Sequence, residues 1–153
     1  MRRKDKEIFD KAEISAIIKQ ANVCRLGMVD GNKPYVIPLC FGYSDNVIYF
    51  HCALEGKKND LIRKNPNVCV EFDLFAETIE SEKACGWSMK YQSVIVFGQA
   101  FFIEDLDEKK GAMNIIMKQY SDKSFQFPEN QLKAIAVIKV DIESITAKQS
   151  GMH

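Results

Sequence analysis

The residues best suited to chemistry are Gly56, Lys57 and Lys58, which stand between an apolar, β-branched run and a short helical pattern. A strand that passes through glycine into a helix leaves free backbone N–H groups at the helix start, and the helix dipole and two ammonium groups add positive charge. This arrangement suits a phosphate. A solvated lysine pair on an exposed first turn explains the same residues equally well. The spacing differs from the Gly-x-x-x-x-Gly-Lys-Ser/Thr loop that binds nucleoside triphosphates.

Two further residues could act beside this anion site. His51 ends the preceding run, and its imidazole could donate a hydrogen bond to a phosphate or orient a substrate. A single histidine is, however, more often structural. Pro38 interrupts an extended run and has no N–H, so its segment belongs at an edge or bulge of a sheet. Free backbone groups there could bind the polar edge of a flat ring, although an edge-strand proline needs no ligand to explain it.

Aromatic and hydroxyl side chains supply a third group. Trp87, Tyr91 and Ser93 offer a stacking surface and hydroxyls that suit an aromatic heterocycle, and composition alone explains them equally as core or interface residues. Neither a Ser-His-Asp arrangement nor a pair of carboxylates stands out, so hydrolysis has no motif behind it. The sequence therefore favours a protein that binds and orients a cofactor, which supplies the reactivity.

Composition narrows the class of protein. The 153 residues contain 21 basic and 21 acidic side chains, and the resulting zero net charge argues against a nucleic-acid partner. The apolar runs are short, and we expect neither a membrane span nor a secretion signal. Five cysteines form an odd set with only two histidines, which argues against a metal site and favours reduced thiols in the cytoplasm. We expect one domain over residues 1–153.

The pattern of apolar residues predicts a mainly β chain with flanking helices. Isoleucines at three- and four-residue spacing predict the first helix, and runs of aromatic and β-branched residues predict strands. The predicted helices cover residues 11–20, 56–65 and 107–120, the last capped by Asp107. The six predicted strands cover residues 24–29, 35–43, 47–52, 68–74, 93–104 and 134–145, with a long connection over residues 75–89. Antiparallel strands with helices at the start, middle and late third indicate a small barrel.

Five segments stand in a characteristic order along the chain: CRLG (24–27), PYVIPL (34–39), YFHCALEGKK (49–58), NPNV (65–68) and YQSVIVFG (91–98). In this order they resemble the nitroimidazole-resistance-like branch of the pyridoxamine 5′-phosphate oxidase-like flavoproteins. The most specific piece is the His-x-Ala-x-x-Gly-Lys-Lys stretch that follows Val-Ile-Pro-Leu. The resemblance covers nearly the whole chain.

The resemblance implies a six-stranded antiparallel split β-barrel (an FMN-binding split barrel), assembled as a homodimer with two FMN molecules between its subunits. It implies a phosphate grip by Lys57 and Lys58 and a contact from Ser93 of the other subunit. The residues that the resemblance and the patterns together predict to bind FMN are Val36, Ile37, Pro38, Leu39, Phe41, Phe50, His51, Lys57, Lys58, Trp87, Tyr91 and Ser93. Ala147 replaces the glycine of the Thr-Gly-Lys sequence frequent in the family, which puts a backbone contact from that turn in doubt.

The predicted function is that of a cytoplasmic, FMN-dependent oxidoreductase that reduces a small aromatic molecule in the manner of a nitroreductase, with His51 orienting the substrate. The alternative is a module that binds or senses flavin, haem or a deazaflavin without catalysis. Oxidation of pyridoxamine phosphate is disfavoured, because no arginine follows Arg63 to hold the substrate phosphate.

Overall fold

The computed structural model describes residues 3–152. Its helices are α1 (Lys11–Gln20), α2 (Lys57–Lys64), α3 (Leu106–Tyr120) and α4 (Glu129–Lys133), with 3-10 turns at Lys4–Lys6 and Ala84–Gly86. Its strands are β1 (Glu7–Ile8), β2 (Cys24–Asp30), β3 (Lys33–Leu39), β4 (Gly42–Ser44), β5 (Val47–Ala53), β6 (Asn67–Ile79), β7 (Ser88–Ile103) and β8 (Ile135–Ser150). The mainly β character that the sequence predicted is confirmed.

The strands form one antiparallel sheet in the order β3-β2-β6-β7-β8-β5-β4, and β1 pairs with β8. The sheet has eight strands where six were predicted. The two additional strands, β1 and β4, contain only two and three residues. Such short strands show too little alternation to be recognised in a sequence.

The two strands that end this order, β3 and β4, are consecutive in the chain and are joined only by Cys40 and Phe41. A link of two residues spans at most about 11 Å, so the sheet must curl until its edges lie side by side. One strand over residues 35–43 was predicted, and this is wrong. The backbone leaves the ladder because the Phe41 N–H donates to the Tyr120 hydroxyl at 2.9 Å and the Phe41 side chain turns into the core.

Two cores stabilise the curled sheet. The first fills the barrel, where Phe41 and Phe72 meet edge to face with their ring centroids 4.8 Å apart. Burying aromatic and branched side chains in this way is the main favourable term in folding. The isoleucines of α1 join this core: Ile14, Ile17 and Ile18. The second core lies under α3 and α4, against β5, β7 and β8, and includes Ile103, Ile116, Leu132 and Val137.

The predicted connection over residues 75–89 is instead a β-hairpin arm. Strand β6 continues to Ile79 and β7 begins at Ser88, and the two strands pair along this extension. Their register shifts between Leu74 and Glu77, where Phe75 and Ala76 have φ values of 76° and 51°. Two successive non-glycine residues in the left-handed region form a bulge that bends the arm.

Other boundaries also differ from the prediction. Helix α3 is capped by Asp105, whose carboxylate accepts from the Glu108 N–H at 2.9 Å, and not by Asp107. Strand β8 extends to Ser150, since its last residues pair with the start of β7. Helix α4 was not predicted, and its single turn is too short for a periodic signal. The predicted helices over residues 11–20 and 56–65 are confirmed as α1 and α2.

The longest described helix, α3, has 15 residues. Within residues 3–152, no helix is both long and apolar enough to cross a membrane. The same stretch holds no group of three or more His, Cys, Asp or Glu side chains placed to bind a metal ion.

Candidate functional site

The outer edge of β3 presents free backbone groups. Within the described residues β3 pairs with β2 alone. Backbone groups alternate from side to side along an antiparallel strand, and Pro34 and Pro38 have no N–H to donate to β2. We therefore expect Pro34, Val36 and Pro38 to direct their backbone groups away from β2. This edge offers the Val36 N–H as a donor and three carbonyl groups as acceptors.

Strand β5 also has a side that its neighbours leave open. Strand β8 pairs with all of β5, whereas β4 pairs only with Val47–Tyr49. Beyond Tyr49, residues 50–53 have no strand partner on the β4 side in the described part of the chain. The second half of β5 therefore has an open edge of its own.

Two connections bring these open edges together. At one end, Cys40 and Phe41 join β3 to β4, the partner of the first half of β5. At the other end, Lys57, which follows β5 closely in the chain, lies with its Nζ 3.0 Å from Asp30 Oδ2 and 4.6 Å from the Tyr35 ring centroid. These two connections keep β3 at the side of β5 that β4 leaves open, although β3 and β5 do not pair within the described residues. We call the gap between β3 and residues 50–53 the seam.

The seam ends at the N-terminus of α2. Gly56 is the residue before the first turn, and its φ of 142° lies outside the range that other residues adopt readily. No side chain of the described residues caps the helix. The N–H groups of Lys57, Lys58 and Asn59 come before the first intrahelical donor and have no partner within the helix. They and the helix dipole make this end attractive to an anion.

The two lysines of the first turn point to different surroundings. Lys57 forms an ion pair with Asp30 and lies over Tyr35. Lys58 lies near His51, where loss of hydration and then the Lys58 charge lower the pKa of the imidazole. The sequence predicted that the two lysines bind an anion together, but Lys57 contacts Asp30 and Tyr35, whereas the charge of Lys58 acts on His51.

Asn59 is a residue of this region that the sequence analysis missed. Its side chain is 1% exposed, and its Nδ2 donates to the carbonyl oxygens of Ala53 at 2.8 Å and Leu54 at 3.0 Å. The Cys52 thiol donates to Asn59 Oδ1 with a sulfur–oxygen distance of 3.2 Å. A polar residue two positions after a Gly-Lys pair is a signal that could have been noticed, but its partners are not visible in the sequence.

The aromatic residues predicted along the seam contribute little side-chain surface. Phe41 and Phe50 are both 0% exposed inside the barrel, so only their backbone could reach a ligand. Ile37 and Leu39 also pack against the core, whereas Val36 is 61% exposed on the opposite face of β3. Their predicted roles in binding stay predictions.

The remaining predicted residues lie away from the seam. Strand β7, which carries Tyr91 and Ser93, is separated from β3 by two strands and from β5 by one. Ser93 borders a concavity of about 280 Å³ with Lys148, whose Nζ is 5.3 Å from the Tyr91 ring centroid. Trp87 is 52% exposed on the hairpin arm. Within one chain these residues form a second group, and their predicted contact with a ligand in the seam stays a prediction.

An apolar groove of about 590 Å³ crosses the outer face of the sheet near this second group. The strand register aligns Val36, Gly27, Cys69 and Phe97 in one row across four strands. Because Gly27 has no side chain, the outer surface of the sheet is depressed in the middle of this row. Phe97, at one end of the row, is 53% exposed.

An ion cluster borders the groove. The Arg25 guanidinium contacts Asp73 and lies 3.2 Å from Glu71. Partial burial and the neighbouring Asp73 carboxylate raise the pKa of Glu71. One guanidinium thus faces two carboxylates, and this edge of the groove has an excess of acidic groups.

Comparison with known proteins identifies the group to which this architecture belongs. Residues 10–149 match the family model described as Pyridoxamine 5′-phosphate oxidase. The chain is similar to a protein of Bacteroides thetaiotaomicron for which a role in 5-nitroimidazole antibiotic resistance has been proposed. The two share 36% sequence identity and a TM-score of 0.85, over 93% of this chain and 85% of that one.

More distant solved structures share the fold. A FAD and haem binding protein of Mycobacterium smegmatis has 15% identity and a TM-score of 0.88, over 95% of this chain and 74% of its own. A flavocytochrome of Azotobacter vinelandii has 18% identity and a TM-score of 0.86, over 98% of this chain and 72% of its own. An uncharacterised protein of Rhizobium meliloti (strain 1021) is 24% identical over 92 residues, or 60% of this chain and 54% of that relative. That match spans about half of the relative's length.

Proposed function

Because the chain belongs to the pyridoxamine 5′-phosphate oxidase family, we propose that it binds FMN in the seam and uses the flavin to reduce a small aromatic molecule. The observation that carries the proposal is the seam itself. The outer edge of β3 and the second half of β5 both lack a strand partner there within the described residues, and an eight-residue helix begins shortly after β5. A flat heterocycle with a polar edge, joined by a chain to a phosphate, matches this sequence of groups.

The phosphate binds at the start of α2. The free N–H groups of the first turn and the Lys58 ammonium provide the donors and the positive charge. The Val36 N–H and the carbonyl groups of Pro34 and Pro38, on the outer edge of β3, would bind the polar edge of the isoalloxazine ring. Lys57 contributes indirectly, since it ties α2 to Asp30 and Tyr35.

The second half of the site comes from another copy of the chain. Ser93 and Lys148 lie on the outer face of the sheet, as do the exposed Val36 and Phe97. Burial of the apolar groove against an identical groove would form an isologous interface. A two-fold axis through that face would bring Ser93 of one protomer to the seam of its partner, and a dimer would hold two equivalent flavins.

The proposed reaction is the reduction of a small aromatic acceptor with electrons that the flavin would supply. A bound flavin supplies reversible two-electron transfer, and the chain's residues bind it and orient the acceptor. His51 is the residue assigned to orientation. Loss of hydration and then the Lys58 charge lower its pKa in the chain without a ligand, which favours the neutral imidazole, and a neutral imidazole would donate a hydrogen bond from one ring nitrogen. The relative that is 36% identical, for which a role in nitroimidazole resistance has been proposed, supports a nitroaromatic acceptor. We assign the activity to the cytoplasm.

The test begins with the purified protein. We expect a yellow protein from which one FMN per chain is released on denaturation and identified by chromatography. A colourless protein that binds neither FMN nor FAD on titration would refute the proposed binding.

Anaerobic reduction then separates enzyme from binding module. The bound flavin is first reduced with a nicotinamide donor and, in parallel, with dithionite, so that choice of donor does not decide the outcome. We expect addition of a nitroaromatic to restore the oxidised spectrum within a turnover time of seconds or less. A dithionite-reduced flavin that every nitroaromatic leaves reduced would instead favour flavin storage or sensing without catalysis.

A further inference from the structure

The connection between β5 and α2 depends on one buried amide. Asn59 is 1% exposed, yet it lies in the first turn of a helix whose other first-turn residues meet solvent. Its Nδ2 uses both hydrogens on consecutive carbonyl groups, those of Ala53 and Leu54. The end of β5 is therefore bound to the first turn of α2 by a side chain that has no exposed surface of its own.

The backbone between these elements has little else to hold it. Among residues 3–152, no atom would lie within 4 Å of a Cβ built on Gly56, and no side chain caps α2. Leu54 is 47% exposed and does not anchor the segment in the core. Buried Leu61 and Ile62 and the Lys57–Asp30 ion pair hold the body of α2, whereas the Asn59 amide is the side chain that joins its first turn to the end of β5.

We propose that Asn59 is a positioning residue that aims the first turn of α2 at the phosphate of the cofactor, so that the site prefers a phosphorylated flavin. The inference rests on the proposed function, because it assumes that the first turn binds the phosphate. Asn59 acts through the N–H groups and Lys58, and its own side chain is occupied by Ala53, Leu54 and the Cys52 thiol.

A purely structural role predicts a different result from a positioning role. Loss of packing alone would weaken the binding of FMN and of riboflavin, which has no phosphate, by the same factor. Loss of positioning would weaken FMN binding specifically. The quantity to measure is therefore the dissociation constant of riboflavin divided by that of FMN, and loss of positioning would lower this ratio.

The experiment compares Asn59→Ala with the wild-type chain by titrating apoprotein with each flavin. We expect FMN affinity to fall about tenfold and riboflavin affinity by less than about twofold, since two carbonyl groups lose their donor and the turn is released. The matched control is Asn65→Ala at the other end of α2, where Asn65 Oδ1 accepts from Asn67 N at 3.1 Å and Nδ2 at 2.9 Å. We expect the control to keep the wild-type ratio.

Two further measurements keep the outcome decisive. If Asn59→Ala does not fold, Asn59→Ser retains one donor, and we expect it to lower the ratio by an intermediate factor. A folded variant of either kind with the wild-type ratio overturns the positioning role. A wild-type chain that binds both flavins equally, or neither, overturns the phosphate site itself, so failure of the proposed function is recognised separately.

Discussion

Replacing Lys58 with alanine tests directly whether the first turn of α2 binds the phosphate of FMN. Lys58 lies close enough to His51 for its charge to lower the imidazole pKa, and no ion pair of Lys58 occurs within residues 3–152. Its ammonium is therefore free to serve a ligand. Lys57 differs, because it would have to leave both Asp30 and Tyr35 to reach the same phosphate.

The expected magnitudes follow from these contacts. A hydrogen bond to a charged group contributes about 1.5–3 kcal/mol, so Lys58→Ala should weaken FMN binding by about 10- to 100-fold. Lys57→Ala removes an exposed ion pair of small effect and should change the dissociation constant by less than about threefold. Both side chains reach beyond the core, and we expect both variants to fold.

The assay is a titration of apoprotein with FMN, followed by the quenching of flavin fluorescence. Lys64→Ala, at the C-terminal end of the same helix, is the control for removal of one positive charge, and thermal unfolding without flavin checks that each variant is folded. If Lys58→Ala binds FMN with wild-type affinity, the phosphate does not bind at this end of α2. An equal loss of FMN affinity in Lys57→Ala and Lys58→Ala would show that both lysines bind the phosphate. That result would contradict the different roles of the two lysines.

Four other outcomes are expected. Lys58→Ala should raise the pKa of His51 towards its ordinary value, because a nearby positive charge is lost; an NMR titration in which the imidazole pKa stays the same would contradict their proximity. Sedimentation of the flavin-loaded protein should give a dimer of about 35 kDa, twice the 17.5 kDa of one chain, and a monomer that keeps tightly bound FMN would refute the shared site. Gly42→Ala should lower the free energy of unfolding by about 1–3 kcal/mol, because its Cβ would lie 2.6 Å from the Ile116 backbone N. Gly111→Ala, with nothing within 4 Å of the new Cβ, should stabilise α3 by up to about 1 kcal/mol; equal urea midpoints for the two variants would contradict this assignment.

Much of the fold could be read from local patterns. The isoleucines of α1 stand at helical spacing, and their burial confirms the prediction. Strand β5 alternates buried and partly exposed residues over most of its length, which is the pattern of a half-buried strand. The hairpin arm could not be predicted in this way, because residues 75–80 are exposed on both faces and exposed strands show no alternation of apolar and polar residues.

For the site, residue types alone indicated the kinds of groups and their order along the chain. An edge strand with Pro38, a histidine at the end of the next strand, and a glycine with two lysines at a helix start were all recognised from residue types. These features depend on intrinsic properties, namely the missing N–H of proline, the φ range of glycine and the charge of lysine. These properties are the same wherever the segments lie in the folded chain.

Which of these groups come together depends on tertiary packing. Consecutive residues of a helix point about 100° apart, so Lys57 and Lys58 cannot share all their neighbours, and which one faces the seam depends on where α2 packs. Lys57 contacts Asp30 and Tyr35 of the β2–β3 hairpin, which is distant in sequence. Asn59 donates hydrogen bonds to the carbonyl groups at the end of β5. The seam exists because the curled sheet brings its two edges side by side, and no local pattern of residues encodes that closure.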